Sequence, residues 1–313
     1  MVTFRGRHSL CAMRRAAPAV RSGSRLARLP PQALFVLGAI SQYLGSAFAV
    51  LLFASVPAAG VAWLRVVAAA GVLVAWRQPW RTRWSGPRLR LVSAFGIALA
   101  LMNLCFYLSI DRLPLGTAVA IEFCGPIAVA ALGSRTRRDL AALVLATAGV
   151  LALADVHLAG NPGGLALAAA AGVFWAIYIV LGHRLARDAG IREQDGLALG
   201  MAIGALGLAP VLVPSAAPAL SSPALLAACL LVGVAASVVP YALEQIAMRR
   251  LPRARFALLL ALLPATAAIV GAVVLGQVPG AFEAAGIALV VAAASLRTHG
   301  AVEPTTRSGG HCG

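Results

Sequence analysis

Arg65 and Glu122 each stand eight residues beyond a proline, Pro57 and Pro114, inside long apolar runs. At about 1.5 Å per helical residue, both charges would lie about 12 Å below the start of their helix, at a common depth. An ionised group near the middle of a bilayer costs about 2.5–3.5 kcal/mol on insertion scales, so such groups pair or line a polar cavity. Two readings fit. In one, Arg65 attracts a carboxylate while Glu122 takes an ammonium group or carries a proton; in the other, the two form a structural ion pair that locks two helices. Asn103, Tyr107, Gln42, Tyr43 and Trp63 fall at similar or shallower depths and would complete a pocket. An Asn or Gln in a membrane helix is as often an interhelical hydrogen bond as a ligand. Trp175, Tyr178, Tyr241, Glu244 and Gln245 fall nearer the opposite ends of their helices and would form the inner part of a pathway. For Glu244 an interfacial charge pair with Arg249 is the alternative.

These residues need a scaffold, and composition defines it. Hydrophobic residues make up 61% of the 313 and charged residues 12%, a balance that no soluble core of this size accommodates. The medium is therefore lipid. The net charge of +16 comes from 26 basic residues, all arginine, that sit in short gaps between apolar runs. That is a topology signal and not a nucleic-acid groove, so no nucleic-acid partner is expected. A span needs roughly 20 apolar residues. Ten such runs are marked, at 31–53, 57–76, 88–110, 114–132, 138–154, 162–185, 196–214, 223–248, 254–275 and 279–297, and Pro57, Pro114, Pro162, Pro223 and Pro279 fall at first turns.

With the N-terminus placed in the cytoplasm, 24 arginines fall in inside segments, Arg112 alone falls outside, and Arg65 lies within a span. That alternation predicts cytoplasmic N- and C-termini. Trp76, Trp80 and Trp84, interleaved with Arg77, Arg81 and Arg83, read as an aromatic belt at the inner interface. Gly200 and Gly204 read as a packing face. The expected organisation is a basic, disordered extension over 1–30, a first repeat over 31–155, a second over 156–297 and a cytoplasmic tail over 298–313. The five cysteines are far apart, and His8, His157, His183, His299 and His311 are scattered. No cofactor or metal site is expected, and a membrane-embedded enzyme is a distant alternative.

An internal repeat is visible. Arg112, Leu113, Pro114, Pro126 and Gly133 recur 138 residues later as Arg250, Leu251, Pro252, Pro264 and Gly271. Five spans separate the copies, and an odd number inverts the second half, as in many secondary transporters that bind substrate near the midplane. Pro126 and Pro264 are expected to kink the fourth and ninth spans, for packing or for function.

The segment Phe106–Ala130 (FYLSIDRLPLGTAVAIEFCGPIAVA), the Phe174–Ile179 stretch (FWAIYI), Pro240–Phe256 (PYALEQIAMRRLPRARF) and Pro264–Gly276 together resemble the threonine/homoserine exporter group of the EamA-type drug/metabolite transporters. The likeness covers about 31–297. It implies an all-α polytopic membrane protein, with ten transmembrane helices as two inverted five-helix EamA repeats in an inner membrane. It further implies export of small neutral amino acids in exchange for protons by alternating access, with Glu122 inside the matching motif. Other small metabolites or drugs are the alternative cargo, and a homodimer is left open. Relatives often carry Glu where Gln277 stands, and some carry an acid at the position of Leu263, so Glu122 becomes the main candidate for coupling.

Overall fold

The computed structural model describes residues 29–133, 136–157, 161–188, 193–251 and 259–300. Nearly all of the expected N-terminal extension and tail lies outside these residues, as do arginines 253 and 255. Among the described residues the protein is entirely helical: α1 (Pro31–Leu52), α2 (Ala58–Arg77), α3 (Gly86–Ile110), α4 (Leu115–Glu122), α5 (Cys124–Gly133), α6 (Arg137–His157), α7 (Pro162–Ala186), α8 (Glu193–Leu220), α9 (Pro223–Gly233), α10 (Val239–Arg250), α11 (Leu263–Leu275) and α12 (Ala281–Gly300). A π-helical turn, Val234–Val238, carries α9 into α10 without interruption.

Six helical stretches are long and apolar enough to cross a bilayer: Pro31–Leu52, Ala58–Arg77, Gly86–Ile110, Pro162–Ala186, Gln194–Leu220 and Pro223–Glu244. Leu115–Val129, Leu140–Leu153, Leu263–Leu275 and Ala281–Leu296 are shorter apolar helices. Large side chains such as Leu206, Val273 and Phe282 stand about three-quarters exposed. An apolar exterior of this kind belongs in lipid.

Proline sets several starts: Pro57 and Pro114 immediately precede α2 and α4, and Pro162 and Pro223 open α7 and α9. Asn161 caps α7 by accepting the Gly164 N–H at 3.0 Å, satisfying one of the orphan donors of the first turn. Gly276 ends α11 in the left-handed region at φ 68°, which costs glycine little. The helix expected over 196–214 extends further, to Leu220, although Pro210, Pro214 and Pro218 lie inside it. Their spacing of four puts all three on the exposed face, while Leu212, Ala216 and Ala219 stay buried, so the missing N–H donors lie away from the packed side.

Packing joins the N-terminal and C-terminal parts of the chain: α1 lies on α10, α2 on α8, α3 on α7 and α8, α4 on α11, and α6 on α12. Lipid supplies no hydrophobic force between helices, so close approach through small residues takes its place. A Cβ on Gly96 would run into the backbone of Gly200, and one on Gly204 into the Gly96 carbonyl, which seats α3 against α8. Gly125 meets the Gly172 backbone in the same way, seating α5 against α7.

The two expected kinks are found as helix breaks that precede the prolines. A turn at Phe123 divides α4 from α5, three residues ahead of Pro126. A turn at Ala261 and Leu262 comes just before α11, so Pro264 sits in that helix's first turn and not in a helix interior. Proline has no N–H for the carbonyl four residues earlier and clashes with it, which favours a break at that place.

Candidate functional site

The site is built where α2, α3, α4 and the π turn converge. Arg65 of α2 is 7% exposed and Glu122, the last residue of α4, is 8% exposed. The Arg65 Nε donates to Ser237 Oγ at 2.9 Å, and its Nη2 donates to the Ala236 carbonyl at 3.0 Å. Its guanidinium also stands 5.0 Å from the centre of the Tyr107 ring. The π turn explains the carbonyl. A widened turn shifts the i→i−4 register, and carbonyls along it become available to side chains from other helices. Ser41 of α1 uses the next one, donating to the Ala235 carbonyl at 2.8 Å.

The ion pair between Arg65 and Glu122 is not formed, although the two interact electrostatically. Among the described residues, the Glu122 carboxylate makes no salt bridge and no hydrogen bond. At its backbone, Glu122 is packed against Gly172 of α7, where a Cβ would come within 2.9 Å of the Glu122 carbonyl. Tyr107 is fully buried with its hydroxyl unpartnered, and Phe53 and Phe106 meet its ring edge to face. Tyr43, 2% exposed, lies within electrostatic reach of Glu122, Glu244 and Arg65.

Other expected pocket residues divide by what they touch. The Asn103 amide donates to the Leu99 carbonyl of its own helix, and the Trp63 indole donates to the Ala205 carbonyl of α8, a tie between helices. The Trp175 ring meets Phe123 at the α4–α5 break, with centroids 5.0 Å apart. Tyr178 and Tyr241 bring their hydroxyls to 3.0 Å, and the Phe95 ring stacks on Tyr178 at 4.7 Å. Glu244 is half-buried and makes no salt bridge among the described residues; the Arg249 and Gln245 side chains lie outside what is described.

A cavity of about 210 Å³ opens beside the tyrosine pair, lined by Phe95, Tyr178, Gly182, His183, Gln194 and Tyr241 among others. Arg65, Glu122, Asn103, Tyr107, Trp175 and Glu244 do not line it. The expected residues therefore fall into two places, a charged layer and a region nearer the arginine-rich helix ends.

Sequence reasoning passed over several contributors. Ser237 and Phe95 gave no signal, one being a common serine in an apolar run and the other a common phenylalanine. At the arginine-rich end, Arg77 Nε and Nη2 both donate to one Asp195 oxygen, at 3.1 and 3.0 Å, and Thr82 donates to the other at 3.0 Å. Arg88 grips Asp188 with two bonds of 2.9 and 2.8 Å. Trp76 and Trp80 are each 64% exposed, as an interfacial belt requires, whereas Trp84 turns inward and donates to the Pro79 carbonyl. Gln277 accepts the Leu115 N–H at 2.9 Å, capping the start of α4 from the far part of the chain.

A lipid-exposed helical bundle that holds an arginine and a carboxylate, each without the other as partner, in its interior is a multi-pass membrane protein of the transport class. Residues 162–298 match the EamA-like transporter family. The threonine/homoserine exporter RhtA of Salmonella typhimurium (strain SL1344) is 36% identical over 252 residues, covering 80% of this chain and 84% of that protein. RhtA of Escherichia coli (strain K12) is 36% identical over 254 residues with the same coverage. One solved crystal structure superposes with a TM-score of 0.53 at 21% identity, covering 84% of this chain and 96% of the other, which supports the fold alone. The chain belongs to the EamA-like transporter family, and it is a transporter and not an enzyme.

Proposed function

We propose that this protein exports small neutral amino acids of the threonine and homoserine kind from the cytoplasm, coupled to proton movement, by alternating access. Its ten spans form two inverted five-helix repeats, 31–155 and 156–297, in the cell inner membrane. The extension over 1–30 and the tail over 298–313 lie in the cytoplasm. The names of the curated relatives support the substrate class, and the distribution of arginine supports the orientation.

The observation that carries the reading is the unpaired charge of the central layer. Arg65 is oriented by Ser237, Ala236 and Tyr107 yet makes no ion pair, and Glu122 is buried without a partner among the described residues. A zwitterion complements both charges: its carboxylate faces Arg65, and its ammonium faces Glu122, which releases or accepts the coupling proton. Asn103, Tyr107 and Trp175 shape this layer, and Tyr178, Tyr241 and Glu244 serve the cytoplasmic part of the route.

The test is efflux of threonine and homoserine from cells and from loaded proteoliposomes, for wild type, Glu122→Gln and Arg65→Ala. Export of either amino acid by wild type, lost in both variants at equal membrane levels, supports the reading. Normal export by both variants refutes the site. Protection against bulky aromatic cations, with no amino-acid efflux, would instead make the protein a drug exporter.

A further inference from the structure

Three helices give the same order of layers. Along α3, Phe95 lies eight residues nearer the arginine-rich end than Asn103, about 12 Å at 1.5 Å per residue. Along α7, Tyr178 lies six residues beyond Gly172, the residue packed on Glu122, or about 9 Å. Along the π turn and α10, Tyr241 lies one turn beyond Ser237, the residue bonded to Arg65. Each helix thus places Phe95, Tyr178 or Tyr241 between the charged layer and the arginine-rich ends. The cavity of about 210 Å³ continues on that side to Gly182, His183 and Gln194.

We propose that this cavity is the cytoplasmic vestibule of the transport route, a first binding place for the zwitterionic amino acid. The Tyr178–Tyr241 hydroxyl pair, with Phe95 stacked on it, is the gate between that vestibule and the Arg65–Glu122 layer. The proposal rests on the export reading and the orientation given above.

The chemistry suits a gate. A bond between two neutral hydroxyls is weak and exchangeable, unlike the charge-assisted pairs of Arg88 with Asp188 and Arg77 with Asp195 that tie helix ends below it. A phenol both donates and accepts, so a carboxylate or ammonium group can replace the partner hydroxyl as it passes. The cavity is smaller than the roughly 300–1,000 Å³ typical of drug-sized sites, and its apolar walls with a few polar tips fit a small metabolite. Phe95 is seated against two glycines. A Cβ on Gly182 would come within 3.3 Å of its ring and one on Gly200 within 2.9 Å, so the ring occupies space that those missing side chains leave.

Cysteine labelling tests the proposal in the full-length protein with its native cysteines replaced. Gln194→Cys reports the vestibule and Asn103→Cys the charged layer, each exposed to a membrane-impermeant thiol reagent from the cytoplasmic side of inside-out vesicles. Gln194→Cys is expected to label rapidly whether or not the gate is intact. Asn103→Cys is expected to label slowly with both tyrosines present and about three- to tenfold faster in Tyr178→Phe/Tyr241→Phe, the factor that one hydrogen bond is worth. Phe95→Ala provides an independent opening of the same gate. Equal labelling of Asn103→Cys with and without the hydroxyls and with Phe95→Ala, or no cytoplasmic labelling of Gln194→Cys, overturns the proposal. Threonine and homoserine efflux from cells carrying the wild-type protein, with Asn103 and the gate residues intact, separates the two readings. Gated labelling without efflux leaves the gate standing and removes the substrate, whereas efflux with ungated labelling removes the gate alone.

Discussion

Arg65→Ala separates a structural arginine from a functional one, because its effects on stability oppose each other. The substitution removes two hydrogen bonds between helices, to Ser237 and to the Ala236 carbonyl. In membrane proteins such bonds average about 0.6 kcal/mol and reach about 1.7. It also removes the guanidinium over the Tyr107 ring, a contact worth about 0.5–2 kcal/mol. The loss is therefore about 2–5 kcal/mol. Against it stands the relief of a buried charge that costs about 2.5–3.5 kcal/mol to insert. The two terms cancel to within about 2.5 kcal/mol, so the variant is expected to insert and to melt within several degrees of wild type. In the proposed site transport has no such compensation: a substrate carboxylate would lose its counter-charge, and efflux is expected to fall at least tenfold, the effect of about 1.4 kcal/mol on the transport barrier. Melting in detergent and efflux from loaded proteoliposomes read the two quantities on one preparation. Wild-type efflux at unchanged stability would refute the functional role, and a stability loss well beyond the upper figure would make Arg65 a strut.

Other substitutions probe the scaffold. Gly125→Leu forces a side chain into the Gly172 backbone, which cannot give way, and is expected to abolish monodisperse protein on size exclusion; Gly71→Ala, with nothing near its added Cβ, is expected to elute as wild type. Arg88→Asp and Asp188→Arg are each expected to cost at most about 1 kcal/mol in melting experiments, since the pair is about one-third exposed, and the double exchange is expected to restore the loss. Gln277→Leu strands the Leu115 N–H at the start of α4 and is expected to destabilise by about 1–3 kcal/mol, whereas Gln277→Glu keeps an acceptor there and is expected to be neutral.

Apolar runs and prolines made the helices legible, because a bilayer enforces both span length and backbone satisfaction. That Arg65 and Glu122 lie inside the bundle and away from lipid was legible for the same reason. Their partners were not. Arg65 bonds to Ser237 and the Ala236 carbonyl, more than 170 residues away, on a π turn whose residues, Val234–Val238, read as an ordinary apolar helix. Trp63 was grouped with the pocket by depth alone, yet its indole faces α8, since depth says nothing about direction around a helix. The end of α8 was placed too early because Pro214 reads as a stop unless its exposed face is known.

The 138-residue correspondence relates mechanics more closely than chemistry. Phe123, at the first helix break, corresponds to Ala261 at the second, and Pro126 to Pro264. Glu122 corresponds to Leu260, which has no titratable group, and Asn103 corresponds to Tyr241 of the hydroxyl pair. In the proposed inverted repeats the breaks recur because both halves must bend, whereas the carboxylate at the Glu122 position has no counterpart at Leu260. A second acid at the half-buried Leu260 position would add a charge with no described counter-charge, at a cost of up to about 2.5–3.5 kcal/mol. Leu260→Glu is therefore expected to lower insertion and not to create a second coupling site. Well-inserted protein with steeper proton dependence of efflux would show instead that the two halves are chemically interchangeable.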